Sequence, residues 1–277
     1  MSGIGIDNDF NFALTGNTGV QFTDITVGHD FNIFAGKATL NGKYLNVGND
    51  LNTSTYSQYT APKSSNRLAI SKTNTNRASE NDEGFTLILD ELNIGGGLYV
   101  DNPDVTISVK ESVVGHDVKI DADKEKIKIN KLDVDGGNLD ITGKTGSIKL
   151  GDVNVDNDTK IKLDNGDLSA KSLDSKGKVE FNVGGNITSD QLIKSENSNI
   201  NAVSGGNLTA STAEANDQIS LKAPAAMRRF SLIRGGLPWS RFRLRQRSIV
   251  SFFDGFSNDN PCIMRSGSPS LMLPPVC

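Results

Sequence analysis

The chain has 277 residues, a length that can bury a substantial core in one large domain or two small ones. Its two cysteines, Cys262 and Cys277, both lie near the end, which excludes a disulfide framework and a cysteine-based metal site. No run of about eighteen apolar residues occurs, so we expect no membrane span, and the opening MSGIGIDNDFNF does not predict a signal peptide.

The charges divide the chain into two parts. Residues 1–222 hold 19 Lys, 2 Arg and 31 acidic residues, a net charge of −10, whereas residues 223–277 hold no Lys, 8 Arg and 2 Asp, a net charge of +6. Six of the 8 Pro and the single Trp also fall in the second part. We therefore treat residues 1–222 as one structural unit and residues 223–277 as an atypical Arg/Pro-rich tail.

A short phrase repeats in the first part. VGHDFN at 27–32 returns as VGNDLN at 47–52, and VGHD returns at 114–117. The following stretch, at about 53–84, is rich in Ser, Thr and Asn and shows no alternation of apolar and polar residues. We interpret it as an insertion looped out from a repeating structure.

After the insertion, aliphatic residues recur about every twenty positions in three columns. The first column is Leu98, Val118, Leu139, Thr159, Val179 and Ile200. The second is Ile107, Ile127, Ile148, Leu168, Ile187 and Leu208. The third is Val113, Leu132, Val153, Leu173, Leu192 and Ala213.

Within each period the local pattern has a period of two. Phrases such as VKIDA, IKIN and LDVD place an aliphatic residue at every second position, which is typical of a strand with one face in a core. Turn residues such as GGN and DND separate these phrases. Three short strands in twenty residues predict an all-β, three-faced parallel β-helix, a solenoid with about 20 residues per rung. A β-sandwich is the alternative, but it needs no such strict period, and a disordered chain would lack the regular aliphatic spacing.

The repeated phrases resemble a known family. VGHDFNI, VGNDLN, GGNLDIT, GGNITSD and GGNLTAST on a twenty-residue period are similar to the shaft of filamentous-haemagglutinin-like exoproteins, the secreted adhesins of bacterial two-partner secretion systems. The resemblance covers roughly residues 20–222. It implies a right-handed β-helix, a secreted or cell-surface location for the parent protein, and a role in attachment without catalysis or a cofactor.

The same resemblance implies partners for the parent protein. These are a glycan or protein on the host cell surface and an outer-membrane transporter during secretion, with no nucleic acid. The family's N-terminal secretion domain and its C-terminal effector have no counterpart in the sequence, so we expect a truncated or internal piece of such a protein. A polysaccharide-active β-helical enzyme and the carrier region of a contact-dependent toxin remain alternative functions.

The sequence offers few candidate site residues. His29 and His116 occupy the same turn position of the repeated phrase, but we expect at least three rungs between them, roughly 14 Å, which is too far for a shared metal. DVDGG at 133–137 lacks the ligand spacing of a calcium loop. Five carboxylates near neighbouring turns could serve a polysaccharide-cleaving enzyme, but a solvated charged face is the better explanation of them. These are Asp133, Asp135, Asp152, Asp156 and Asp158. We therefore predict no catalytic, cofactor-binding or metal-binding residue.

The tail at 223–277 has two interpretations. RFRLRQR at 241–247 suits a cationic strand that could meet anionic lipid or nucleic acid. The simultaneous loss of Lys and gain of Arg, Pro, Trp and Cys is what a changed reading frame would produce. We therefore expect a disordered or frameshifted end.

The reading-frame hypothesis predicts the DNA downstream of the Ala223 codon. Translation in one of the two other frames should restore aliphatic residues in step with Ile200, Leu208 and Ala213, with Lys and Asn returning. Sequencing of the gene measures this directly. If neither frame continues the period, the tail belongs to the original reading frame and the hypothesis is wrong.

Overall fold

The structure is a computed structural model that describes residues 3–55 and 84–224 and three short strands at 227–228, 231–234 and 243–246. It is an all-β parallel solenoid of about nine turns with roughly twenty residues per turn, which confirms the predicted fold class. The described residues contain no helix long and apolar enough to cross a membrane.

The strands follow the chain around the solenoid. Before the insertion they are β1 (Ile4–Ile6), β2 (Phe10–Gln21), β3 (Asp24–Val27), β4 (Phe31–Asn41), β5 (Tyr44–Val47) and β6 (Leu51–Thr55). The middle turns contain β7 (Gly84–Ile94), β8 (Leu98–Asp101), β9 (Asp104–Val114), β10 (Val118–Val134), β11 (Leu139–Val155) and β12 (Thr159–Ser175). The last turns contain β13 (Val179–Val183), β14 (Ile187–Ser195), β15 (Ile200–Ser204), β16 (Leu208–Ala215), β17 (Ile219–Ala223), β18 (Met227–Arg228), β19 (Ser231–Arg234) and β20 (Arg243–Gln246).

Each turn has three faces. Along the β10–β11 ladder, residues 118–122, 124–129 and 131–134 pair in parallel with the next turn, while residues 123 and 130 are skipped at the corners. Side chains alternate between buried and exposed within each face, because successive residues of a strand point to opposite sides. Aliphatic side chains therefore fill the interior along the axis, and Lys and Asp side chains cover the outside.

The first two predicted columns match the observed register at every step. Val118 pairs with Leu98 below and Leu139 above, and the same ladder continues to Ile200. Ile127 pairs with Ile107 and Ile148, and that ladder continues to Leu208. Local alternation and the twenty-residue period were sufficient to identify both ladders.

The third predicted column was wrong at two positions. Ser112, not Val113, pairs with Leu132, so Ser112 is 2% exposed and Val113 is 37% exposed. A register shift between Ser189 and Leu192 places Ile193, not Leu192, opposite Leu173. A shift of one residue moves a side chain to the other face of a strand. The predicted residues Val113 and Leu192 are therefore not the inward ones, and their neighbours Ser112 and Ile193 point into the core instead.

The insertion interrupts one turn at a corner. The β4 strand pairs with β6 as far as Ala35 opposite Thr55, and with β7 from Lys37 opposite Gly84. The described pairing therefore ends at Thr55 and begins again at Gly84, slightly inside the limits of 53–84 predicted for the insertion. Residues 56–83 lie outside the described part of the chain.

Three short strands of the tail continue the ladders. Met227 pairs with Leu208, Leu232 with Ala213, and Leu244 with Leu221. The upper edges of β16 and β17 offer backbone hydrogen-bonding groups to these short segments, and the expectation of a disordered end stays a prediction. The other tail residues beyond 224 lie outside the described part, and the reading-frame hypothesis stays a prediction.

The three-face assignment predicts unequal effects of two aspartate substitutions in β10. Ile127 is 1% exposed, so Ile127→Asp should lower the free energy of unfolding by more than about 4 kcal/mol by placing an unpaired charge in the core. The matched control Lys128→Asp, on the outer face, should change it by less than about 0.5 kcal/mol. Urea unfolding followed by circular dichroism measures both, and equal losses would contradict the assignment.

Candidate functional site

The repeated VGHD phrase forms a corner of the solenoid, and its aspartate connects successive turns. The Asp30 Oδ1 accepts a hydrogen bond from the backbone N–H of Asp50 at 3.2 Å and from the Asn49 side chain at 2.6 Å. Asp50 in turn accepts the backbone N–H of Gly97 at 2.8 Å. The carboxylates thus satisfy backbone donors of the next turn.

This corner ladder continues through the middle turns. Asp117 accepts the backbone N–H of Asn138 at 2.8 Å and its side-chain amide at 3.0 Å. Asn138 accepts the N–H of Asp158 at 3.1 Å, and Asp158 accepts the N–H of Lys178 at 2.7 Å. An aspartate or asparagine recurs at this position because both side chains accept a hydrogen bond over the same short distance.

The glycine of the phrase is required by the close approach of successive turns. A Cβ atom on Gly48 would collide with the carbonyl oxygen of Gly28, one on Gly95 with that of Gly48, and one on Gly115 with that of Gly95. The glycine and the aspartate of the phrase therefore have structural roles at the corner, and its valine is buried in the core.

The two histidines are far apart, as predicted. A chain of backbone hydrogen bonds runs from Asn49 to His29, from Gly96 to Asn49 and from His116 to Gly96. Three turns therefore separate the histidines, roughly 14 Å at the strand spacing of a sheet. Both are exposed, and no three His, Cys, Asp or Glu side chains in the described ranges are grouped closely enough to hold a metal ion.

Among the five candidate carboxylates, two make direct ion pairs across turns. Asp152 contacts Lys171 at 2.7 Å, and Asp156 contacts Lys176 at 2.5 Å. Hydrogen bonds from Lys171 and Ser172 lower the pKa of Asp152, and those from Lys176 and the Gly136 N–H lower the pKa of Asp156.

The remaining three carboxylates occupy different positions. Partial burial acts to raise the pKa of Asp133, but hydrogen bonds from Asn154 and Lys131 outweigh burial and lower it. Asp158 belongs to the corner ladder, and Asp135 is exposed at the start of a turn. The structure thus brings the five carboxylates to one region but gives four of them hydrogen-bonding partners within the scaffold.

Sequence reasoning missed the most unusual carboxyl group. Glu125 was not singled out from the sequence, and its side chain points inward and is 3% exposed. Among the described carboxyl groups it alone has both oxygens buried without a hydrogen bond from another residue. The alternation of inward and outward side chains along the strand could have predicted this, because Glu125 precedes the inward residue Ile127 by two positions.

The environment of Glu125 favours its neutral form. Burial raises its pKa to about 7, its own backbone N–H opposes that change, and the negative charge of Asp164 adds to it. A carboxylic acid with this pKa is substantially protonated near neutral pH.

Comparison with known proteins gives no assignment. No protein-family model matches the chain, and neither the curated proteins nor the solved structures contain a match. The function must therefore be argued from the geometry.

The corner ladder predicts a difference between two neighbouring residues of the phrase. Asp117→Ala removes two hydrogen bonds from Asn138 and should lower the free energy of unfolding by about 1–2 kcal/mol. His116→Ala should change it by less than about 0.5 kcal/mol, because only the imidazole is lost while the backbone bond to Gly96 remains. Thermal unfolding of both variants measures the difference. A larger loss for His116→Ala would mean that the histidine has a role that the ladder does not explain.

Proposed function

We propose that this chain is a structural shaft segment of a secreted bacterial surface protein of the filamentous-haemagglutinin type. The observation that carries the proposal is a parallel solenoid of about nine turns. Two inward columns stay in register from Leu98 to Leu208, and Asp or Asn hydrogen bonds recur at one corner. At roughly 4.8 Å per turn, this gives a rod about 40 Å long. The repeated residues build the rod, which spaces or presents a surface for attachment.

The outward charges support this interpretation. Lysine side chains contact aspartates of the preceding turn, in the pairs Lys110–Asp90 at 2.7 Å, Lys144–Asp123 at 2.7 Å, Lys171–Asp152 at 2.7 Å and Lys194–Asp174 at 3.1 Å. Each exposed pair contributes little, about 0–1 kcal/mol. Together they offset part of the acidic charge of a highly charged surface, which suits a rod that stands in water.

The lysine contacts of the candidate carboxylates argue against the enzyme alternative. A general base that removes a proton near neutral pH works best with a pKa raised toward that pH. Asp133, Asp152 and Asp156 instead have lowered pKa values because lysines and other donors hold their ionised forms. We therefore propose an attachment role without catalysis, with a host-surface glycan or protein as the partner and an outer-membrane transporter acting during secretion.

The proposal predicts binding without cleavage. The purified chain should be incubated with acidic polysaccharides and with host epithelial cells, and we expect cell or glycan binding with no release of new sugar ends. Ile127→Asp serves as the unfolded control and should lose the binding. Binding is measured by flow cytometry and on immobilised glycans, and cleavage by a reducing-end assay.

Two results would contradict the proposal in different ways. Cleavage that Asp133→Asn or Asp152→Asn abolishes would establish the polysaccharide-active enzyme. Failure of the folded chain to bind any cell or glycan would remove the attachment role and leave a spacer.

A further inference from the structure

Glu125 occupies a position that apolar residues fill in the preceding turns. In the register of the second face it pairs with Val105, which in turn pairs with Phe85, and both of these side chains are buried. On the other side Glu125 pairs with Gly146, which pairs with Gly166. The carboxyl group thus lies where the core changes from large apolar side chains to glycine.

Two glycines of the next turn make room for this carboxyl group. A Cβ atom on Gly143 would collide with the carboxyl carbon and both oxygens of Glu125, and one on Gly146 would meet its backbone carbonyl and carboxyl carbon. Neither glycine has a positive φ, so the need for glycine comes from this contact. The Glu125 side chain therefore reaches from β10 into a space left by β11.

Within the described part of the chain, no cation pairs with the Glu125 carboxyl group. The charged residues on the neighbouring positions are Asp121, Asp123, Lys124 and Lys126 on its own strand, Asp104 on β9, Lys144 on β11, and Lys162 and Asp164 on β12. Lys144 contacts Asp123 at 2.7 Å, and Lys162 contacts Asp164 at 3.4 Å. None of these lysines reaches the buried carboxyl group, so an ionised Glu125 would be desolvated without a countercharge and repelled by Asp164.

We propose that the protonation state of Glu125 controls the local pairing of β10 with β11. The neutral carboxyl group allows the two strands to pair, and its ionisation breaks the backbone hydrogen bonds between them. Opening would expose the carboxylate to water at the glycine side, where Gly143 and Gly146 contribute no side-chain packing. The region that opens comprises residues 122–129 and their partners 143–150. The β10–β11 pairing would thus be most stable at acidic pH and become less stable as the pH rises.

The direction follows from proton linkage. The closed state holds the Glu125 proton up to about pH 7, whereas an open, hydrated glutamate loses it near the ordinary glutamate pKa of 4.5. The stabilisation is therefore fully present in acid and is lost as the pH rises from about 4.5 through about 7. These two pKa values give an increase of about tenfold in the opening equilibrium between about pH 6 and about pH 8.

Amide hydrogen exchange of the full chain tests whether the β10–β11 pairing opens as the pH rises. We expect the protection of residues 143–150, corrected for the intrinsic effect of pH on exchange, to fall about tenfold between about pH 6 and about pH 8. The Glu125→Gln variant should lose this pH dependence, because an amide of the same shape cannot ionise. Glu111→Gln, an exposed glutamate one turn below on another face, is the matched control and should behave as the wild type.

Three results would overturn the proposal. A protection that does not change with pH in the wild type, or an equal change in wild type and Glu125→Gln, would overturn the proposal. Carboxyl-carbon NMR of the wild-type chain provides a second measurement that does not depend on any variant. A Glu125 titration midpoint near that of an exposed glutamate would overturn the proposal even if the variant fails to fold.

Discussion

Backbone pairing between turns of equal length is the constraint on which the whole structure depends. Each strand residue bonds to its equivalents about twenty positions before and after it, so one extra residue within a face would turn the following side chains to the wrong side. Length variation is therefore confined to corners and bulges. The insertion between Thr55 and Gly84 interrupts a corner, and the irregular step from Ala170 to Ser172 is accommodated by a shift in register.

The corners show how a repeated phrase can look like a site and still be structural. His29 and His116 stand beside the residues that matter, but the aspartate after each histidine makes the connection to a neighbouring turn. The glycine before each histidine permits the turns to approach. Hydrogen bonding along the solenoid axis thus explains why the short polar phrase repeats on a strict period. The exposed position between its glycine and its aspartate is not constrained in this way and is occupied by His, Asn or Gly.

Glu125 shows the same constraint acting inside the core. The ladder forces this residue inward because Ile127, two positions along the same face, is inward, and the fold accommodates it by placing glycine at positions 143 and 146. A buried acid without partners is compatible with the solenoid only in its neutral form. The stability of the rod is therefore coupled to the proton at one position, while lysine contacts lower the pKa values of the outward carboxyl groups of Asp152 and Asp156.

Composition and periodicity by themselves determined the fold class, the length of the turn, and the ladders through Val118 and Ile127, because alternation and period are local properties of the chain. They also indicated that the histidines lie three turns apart. The tertiary structure alone decided the third face, where Ser112 and Ile193 point inward, because consecutive apolar residues leave the direction of each side chain ambiguous in sequence. It also decided the hydrogen bonds of Asp117 and the buried position of Glu125, since both depend on which residues of the neighbouring turns they meet.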